Sequence, residues 1–177
     1  MIEAWHFADA CVLDQARRNG GFYKSVSARM PGQLNCWTIS SRNRFDLIRD
    51  GNGGFTGVGW MSHADKIDIF EAIRKEVKPD APSRNSCFFA FCSHEEALAA
   101  QKSWGSFQGQ EPEPIIIQED SNVFQGDADF YTHAGAYGTL RSAAYRYWLG
   151  RTTPNPKLEY LIDGTVFFKN WQSFTSI

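Results

Sequence analysis

Leu158-Glu159-Tyr160-Leu161-Ile162-Asp163-Gly164-Thr165-Val166-Phe167-Phe168 is the stretch on which the reading of the chain turns. Two short apolar runs flank Asp163-Gly164, a pattern that predicts a tight β-hairpin. Glu159 stands where the first of these strands leaves a loop. A carboxylate at the mouth of an apolar strand is either a solvated strand end or a placed catalytic group. The rest of the chain has to decide between them.

At 177 residues the chain is long enough for one domain with a proper core, so a single domain over 1–177 is expected. Hydrophobic residues make up 42% and charged ones 21%, a globular composition rather than a disordered one. Aromatics reach 15%, with 14 Phe and 6 Trp, which fits a large core or a cleft that stacks on planar ligands. A net charge of −2 argues against a broad basic footprint for duplex nucleic acid. Cys11, Cys36, Cys87 and Cys92 form no Cys-x-x-Cys pair, and His63, His94 and His133 sit in separate segments. Zinc needs paired ligand spacing, so no metal is expected and the thiols read as those of a reducing compartment. There is no basic segment followed by an apolar run, and no apolar run long enough to span a bilayer. A cytoplasmic protein without a membrane partner is the expectation.

Outward from the key stretch, Tyr147, Trp148 and the alanines before them repeat at helical spacing, and Gly150 caps that helix over 135–150. Pro154 and Pro156 then extend the chain into Glu159. Ile115–Ile117 reads as a strand, and so does 122–124. The apolar run Cys87–Cys92 is a buried strand that follows the polar turn Pro82-Ser83-Arg84-Asn85-Ser86. Ser93 and Glu96 make a capping box for a helix running through Ala97, Ala100 and Trp104. Ala64–Val77 carries Ile67, Phe70, Ile73 and Val77 on one face with charges between them, an amphipathic helix. Residues 2–8 form a first strand with His6 in its middle, and 9–18 a short helix stopped by Gly20-Gly21. From Gly20 to Gly59 the chain reads mostly as loop, with short strands at Cys36–Ser40 and Phe45–Ile48. Its glycines, including Gly51, Gly53, Gly54, Gly57 and Gly59, lack the order of a dinucleotide fingerprint. Helices mixed with strands, without regular alternation, indicate α+β.

Three pieces stand in a telling order: a first strand with Trp5-His6-Phe7, a middle strand running into the capped helix His94–Ala100, and a late strand opening on Glu159-Tyr160-Leu161-Ile162. This order resembles the ADP-ribosyltransferase superfamily, in the branch whose signature is His, then Tyr, then Glu on three strands. Pro82-Ser83-Arg84, Tyr147-Trp148-Leu149-Gly150 and Glu159–Ile162 are also similar to a bacterial domain family of unknown function. The resemblance implies a split β-sheet core with flanking helices, NAD as the substrate, and transfer of ADP-ribose to a macromolecule. In that reading Glu159 is the catalytic carboxylate, and His6, with Phe7 beside it, contacts the NAD ribose. The Tyr position falls on Phe88 or Phe89, which keep a stacking surface and lose the hydroxyl. Arg84 is the candidate for the pyrophosphate, with Ser86 a weaker one.

The chemistry has its own reasons. Breaking the nicotinamide–ribose bond passes through an oxocarbenium-like transition state that a nearby carboxylate stabilises, as in glycoside hydrolysis. Arginine-directed members of the superfamily carry Glu or Gln two residues before the catalytic Glu, and here that position is Lys157. The acceptor implied is then a nucleic-acid base, a protein side chain other than arginine, or a small molecule. Arg17, Arg18, Phe22, Tyr23, Arg29, Trp37, Arg42 and Arg44 are material for a single-strand stacking groove, or for an aromatic satellite core with solvated arginines. A toxin, a defence effector or a phage-encoded modifier of host machinery fits such an enzyme. A non-catalytic binding or inhibitor protein on the same fold, and an NAD glycohydrolase, are the alternatives.

Overall fold

The hairpin expected at Asp163-Gly164 is absent. In the computed structural model β8 (Leu158–Asp163) lies between β5 (Phe88–Phe91) and β7 (Asn122–Asp127). The next strand, β9 (Thr165–Phe168), lies instead between β2 (Phe22–Lys24) and β6 (Glu113–Ile117). Gly164 is therefore an elbow that hands the chain from one half of a sheet to the other. Its backbone explains the choice. Ser25 Oγ accepts the Gly164 N–H at 3.1 Å, and the Ser25 N–H donates to the Gly164 carbonyl at 2.8 Å. A Cβ on Gly164 would sit 2.4 Å from Ser121 Oγ, so only glycine permits this approach. An Asp-Gly pair favours a hairpin only when both flanking strands lack better partners; here each has two.

The structure describes residues 1–42, 45–49, 55–104 and 107–174, with side chains for all of these except 45–49, 55–61 and 103–104. Arg44, Gly51, Gly53, Gly54 and Gly105 lie outside the described residues. All strand pairs described are antiparallel, in the order β2-β9-β6-β1-β5-β8-β7, with β1 at Ile2–His6. This is a mixed α and β fold on an antiparallel sheet. Between β1 and β5 the ladder narrows to a single register pair, Trp5 with Phe91, whereas β1 and β6 register over five pairs. The sheet consists of two halves joined at this seam and at the Gly164 elbow.

Helices form where caps and patterns favour them. Asp9 caps α1 (Ala10–Arg18) by accepting the Val12 N–H. The capping box holds: Ser93 Oγ accepts the Glu96 N–H at the start of α5 (His94–Trp104). The amphipathic α4 (His63–Val77) buries Ile67, Phe70 and Ile73. After the short α6 (Asp129–Thr132), α7 (Leu140–Trp148) buries Ala143, Ala144, Tyr147 and Trp148, and Gly150 follows it in the left-handed region at φ +68°.

The loop expected from Gly20 to Gly59 is largely structured. It contains β2, α2 (Val26–Arg29), α3 (Cys36–Ser41), β3 (Phe45–Arg49) and β4 (Phe55–Ser62). The strand expected at Cys36–Ser40 is the helix α3, because Asn35 Oδ1 accepts the Thr38 N–H at 2.8 Å and starts a turn. β2 has little strand pattern of its own; it is made by its pairing with β9.

Two cores follow from the sheet. One packs α4, α6 and α7 on β5, β7 and β8, through Phe70, Ile73, Cys87, Phe124, Tyr131, Tyr147, Trp148 and Leu161. The other unites both half-sheets, through Ala4, Ile115, Ile117, Val166 and Phe168 with Phe88, Ala90 and Ile162. No described helix is long and apolar enough to cross a membrane.

Candidate functional site

Glu159 is the second residue of β8 and pairs with Phe91 on one side and Gly126 on the other. Residues registered across an antiparallel ladder share a face, so Glu159, Leu161, Phe89 and Phe91 point toward the helical layer. There Glu159 is 5% exposed and meets Arg84, which is 6% exposed. Arg84 Nη1 donates to Glu159 Oε1, and Nη2 reaches Oε2 at 3.4 Å. Tyr147 joins the pair from α7: its hydroxyl accepts from Arg84 Nη1 at 2.6 Å and donates to Glu159 Oε1 at 2.8 Å.

The surroundings build this cluster in layers. A Cβ at Gly126 would lie 2.6 Å from the Tyr147 ring, so the missing side chain is what admits the ring over β7. Aromatic faces enclose the guanidinium, with its Cζ 4.1 Å from the Tyr131 centroid, 5.0 Å from Phe89 and 5.1 Å from Tyr147. Asn35 Nδ2 donates to the Arg84 and Cys87 carbonyls, so the residue that caps α3 also anchors the arginine's loop. From α3, Trp37 touches Phe89 and Tyr131 edge-on at 5.9 and 5.7 Å while staying 37% exposed. It is the edge of the cluster that reaches solvent.

Electrostatics reinforce the pair. Burial works against a charged Arg84, but Glu159, Tyr147 and Tyr131 outweigh it, and its pKa rises above the ordinary arginine value. Burial pushes the Tyr147 hydroxyl well up, with Arg84 opposing and Glu159 adding to the rise. Burial likewise pushes up the neighbouring Cys87 thiol, which stays protonated and inert.

The residues expected to share a site divide between the faces of the sheet. Arg84, Phe89 and Glu159 come together, and Phe7 is on their face, stacked on Phe107 at 4.6 Å and edge-on to Phe91. His6 and Phe88 are on the other face. Trp5 registers with Phe91, so the next residue, His6, alternates away from Glu159. Its ring lies 4.0 Å from Phe88 and 6.3 Å from Phe168, within the core that unites the half-sheets. Ser86 contributes its backbone carbonyl, which accepts from the Ser27 amide and hydroxyl. His6 Nδ1 donates to the Phe89 carbonyl at 2.7 Å. Burial lowers its pKa from 6.5 to about 4, with the Phe89 bond and Asp9 opposing, so the ring is neutral and Nε2 carries the lone pair.

Lys157 is tied to Asp129 at 3.2 Å, and Asp127 accepts the backbone N–H groups of Thr153 and Lys157. That clamp fixes the loop delivering Glu159. The arginines expected near a stacking groove are engaged: Arg17 and Arg18 with Asp14, Arg29 with Gln15 and Tyr23, Arg42 with Asp68. Among the described residues no cluster of three or more His, Cys, Asp or Glu is placed to hold a metal.

Tyr147, Gly126, Tyr131 and Asn35 belong to the site and did not appear as site residues in the sequence. Tyr147 lies on an apolar helix face, where a tyrosine reads as core. Only its place twelve residues before Glu159, with two prolines between, hinted that both converge.

A seven-stranded antiparallel sheet with a buried Arg–Tyr–Glu cluster beneath its helical layer is the class of protein that fold and site define. A family model described as "Protein of unknown function (DUF2441)" matches residues 59–171, and the chain belongs to that family. The matched segment contains Arg84, Tyr147 and Glu159 and leaves out His6. No curated protein matches the chain.

Proposed function

We propose that the protein is a nucleotide-binding protein on an ADP-ribosyltransferase-like split sheet, taking NAD or a similar dinucleotide without transferring from it. The observation that carries this is the state of Glu159. The carboxylate that would stabilise an oxocarbenium ion is buried, paired with Arg84 and Tyr147, and on the face opposite His6. A transition-state carboxylate must face developing charge on the substrate; this one faces an internal cation. The narrow seam between β1 and β5 supports the split-sheet reading. Trp37, with Phe89 and Tyr131 behind it, supplies an aromatic wall for a planar ring.

Calorimetric titration with NAD, alongside chromatography of NAD incubated with the protein and cell extract, tests the reading. Binding without consumption is expected, with affinity falling at least tenfold in Trp37→Ala. NAD consumption by the wild type that disappears in Glu159→Gln overturns it.

That second outcome belongs to ADP-ribosyl transfer, a reading favoured by one observation of its own. Neutral His6, fixed through Nδ1–H to Phe89, keeps Nε2 as an acceptor for a ribose hydroxyl. Label appearing on nucleic acid or protein then identifies the macromolecular acceptor; free ADP-ribose alone identifies a glycohydrolase.

A further inference from the structure

The Arg84–Glu159 pair leaves one edge of the guanidinium unused. An arginine has two forks: an end-on fork of Nη1 and Nη2, and a side-on fork of Nε–H with the nearer hydrogen of Nη2. Glu159 takes the end-on fork, with one oxygen close and the other at 3.4 Å, long for a charged contact. Tyr147 takes the remaining Nη1 hydrogen. Nε is buried and has no hydrogen-bond partner among the described residues. A pair serving stability alone would be expected to satisfy that donor, since a buried donor left unpaired is costly. The aromatic faces of Tyr131, Phe89 and Tyr147 would continue to hold the cation if its carboxylate partner changed. Trp37, 37% exposed and against two of these rings, is where this aromatic box meets solvent.

We propose that the Arg84–Glu159 pair is an internal latch: an anionic oxygen pair of the ligand engages the open fork of Arg84, competes with Glu159 for the cation, and releases the carboxylate. The inference rests on the nucleotide-binding reading of this site and adds its regulation. The side chain that recognises the anion is the one that restrains Glu159, so ligand and carboxylate each loosen the other's hold on the cation, while Glu159 stays on the face opposite His6. Competition has a definite thermodynamic signature, because two anions then share one cation and each weakens the other's hold on it.

The test is calorimetric titration of inorganic pyrophosphate, and separately NAD, into wild type, Glu159→Gln and the apolar double variant Arg84→Met/Glu159→Leu. Circular dichroism establishes that each variant is folded. Removing the charge of Glu159 is expected to tighten pyrophosphate and NAD at least tenfold, and the double variant to bind neither. Equal affinity in wild type and Glu159→Gln overturns the latch while leaving nucleotide binding intact. Binding retained by the double variant places the anion away from Arg84 and also overturns it. No binding of either probe to wild type or Glu159→Gln overturns both the latch and the nucleotide reading.

Discussion

The two faces of β5 solve one problem in opposite ways. Each holds a nitrogen-bearing side chain among aromatic rings, His6 against Phe88 on one face and Arg84 against Phe89 on the other. On the His6 face, burial removes the charge: the ring is neutral and its one donor is met by the Phe89 backbone carbonyl of β5. On the Arg84 face, a group that cannot lose its proton keeps the charge and must be met by a charged side chain, the Glu159 carboxylate of β8. A neutral group can be buried against a backbone carbonyl, which any residue supplies. A permanent cation makes the fold depend on one particular carboxylate.

That difference predicts unequal fragility. Arg84→Met leaves Glu159 buried without a counter-charge and should cost about 3–5 kcal/mol, enough to threaten folding. Replacing both partners, as in Arg84→Met/Glu159→Leu, should recover most of that loss, because neither charge then remains to be desolvated. Urea unfolding of the single and double variants measures both values. If the double variant is as unstable as the single, the aromatic box needs a cation whatever its partner, and the asymmetry between the faces lies in packing.

The His6 face should show its weakness in acid. The folded pKa is about 4 against an ordinary 6.5, so between these values the unfolded chain takes up a proton that the folded chain refuses. Stability therefore falls as pH drops through that window, by at most about 3 kcal/mol for a shift of this size. His6→Gln cannot titrate, and its stability between pH 6.5 and 4 should fall less steeply than that of the wild type. Parallel slopes in denaturant unfolding series for the two proteins would mean that His6 is not the group being protonated.

How much of this was legible depends on whether an element carries its own signal or takes it from a distant partner. α1, α4, α5 and α7 carry a helical period and formed in the stretches the pattern gave them, α7 over the shorter Leu140–Trp148. β2 and α3 were hidden in a glycine-rich stretch because β2 is defined by β9 and α3 by the Asn35 cap. The Asp163-Gly164 elbow misled because a local hairpin signal cannot know that β5 and β7 already occupy both edges of β8. Glu159, Arg84 and Phe89 converge, but nothing in sequence shows that the carboxylate would be neutralised. Nor does spacing show that His6 alternates to the far face. One residue of strand register decides it.

The finest point of the comparison concerns how the charged face was given room. Gly126 sits opposite Glu159 on β7, and its absent side chain is filled by the ring of Tyr147, whose hydroxyl bridges Arg84 and Glu159. In Gly126→Ala the new methyl would lie 2.6 Å from ring carbons held by Phe70, Phe124 and Trp148. Those neighbours leave the ring no free direction, so overpacking should cost about 1–3 kcal/mol. The displaced hydroxyl would also loosen its bridge, so ligand affinity should change along with stability. Denaturant unfolding and NAD titration of Gly126→Ala read the two effects together. A stability change below about 0.5 kcal/mol would mean that the ring yields easily. The tyrosine would then be a passive neighbour of the ion pair, and Gly126 would matter only as a strand residue.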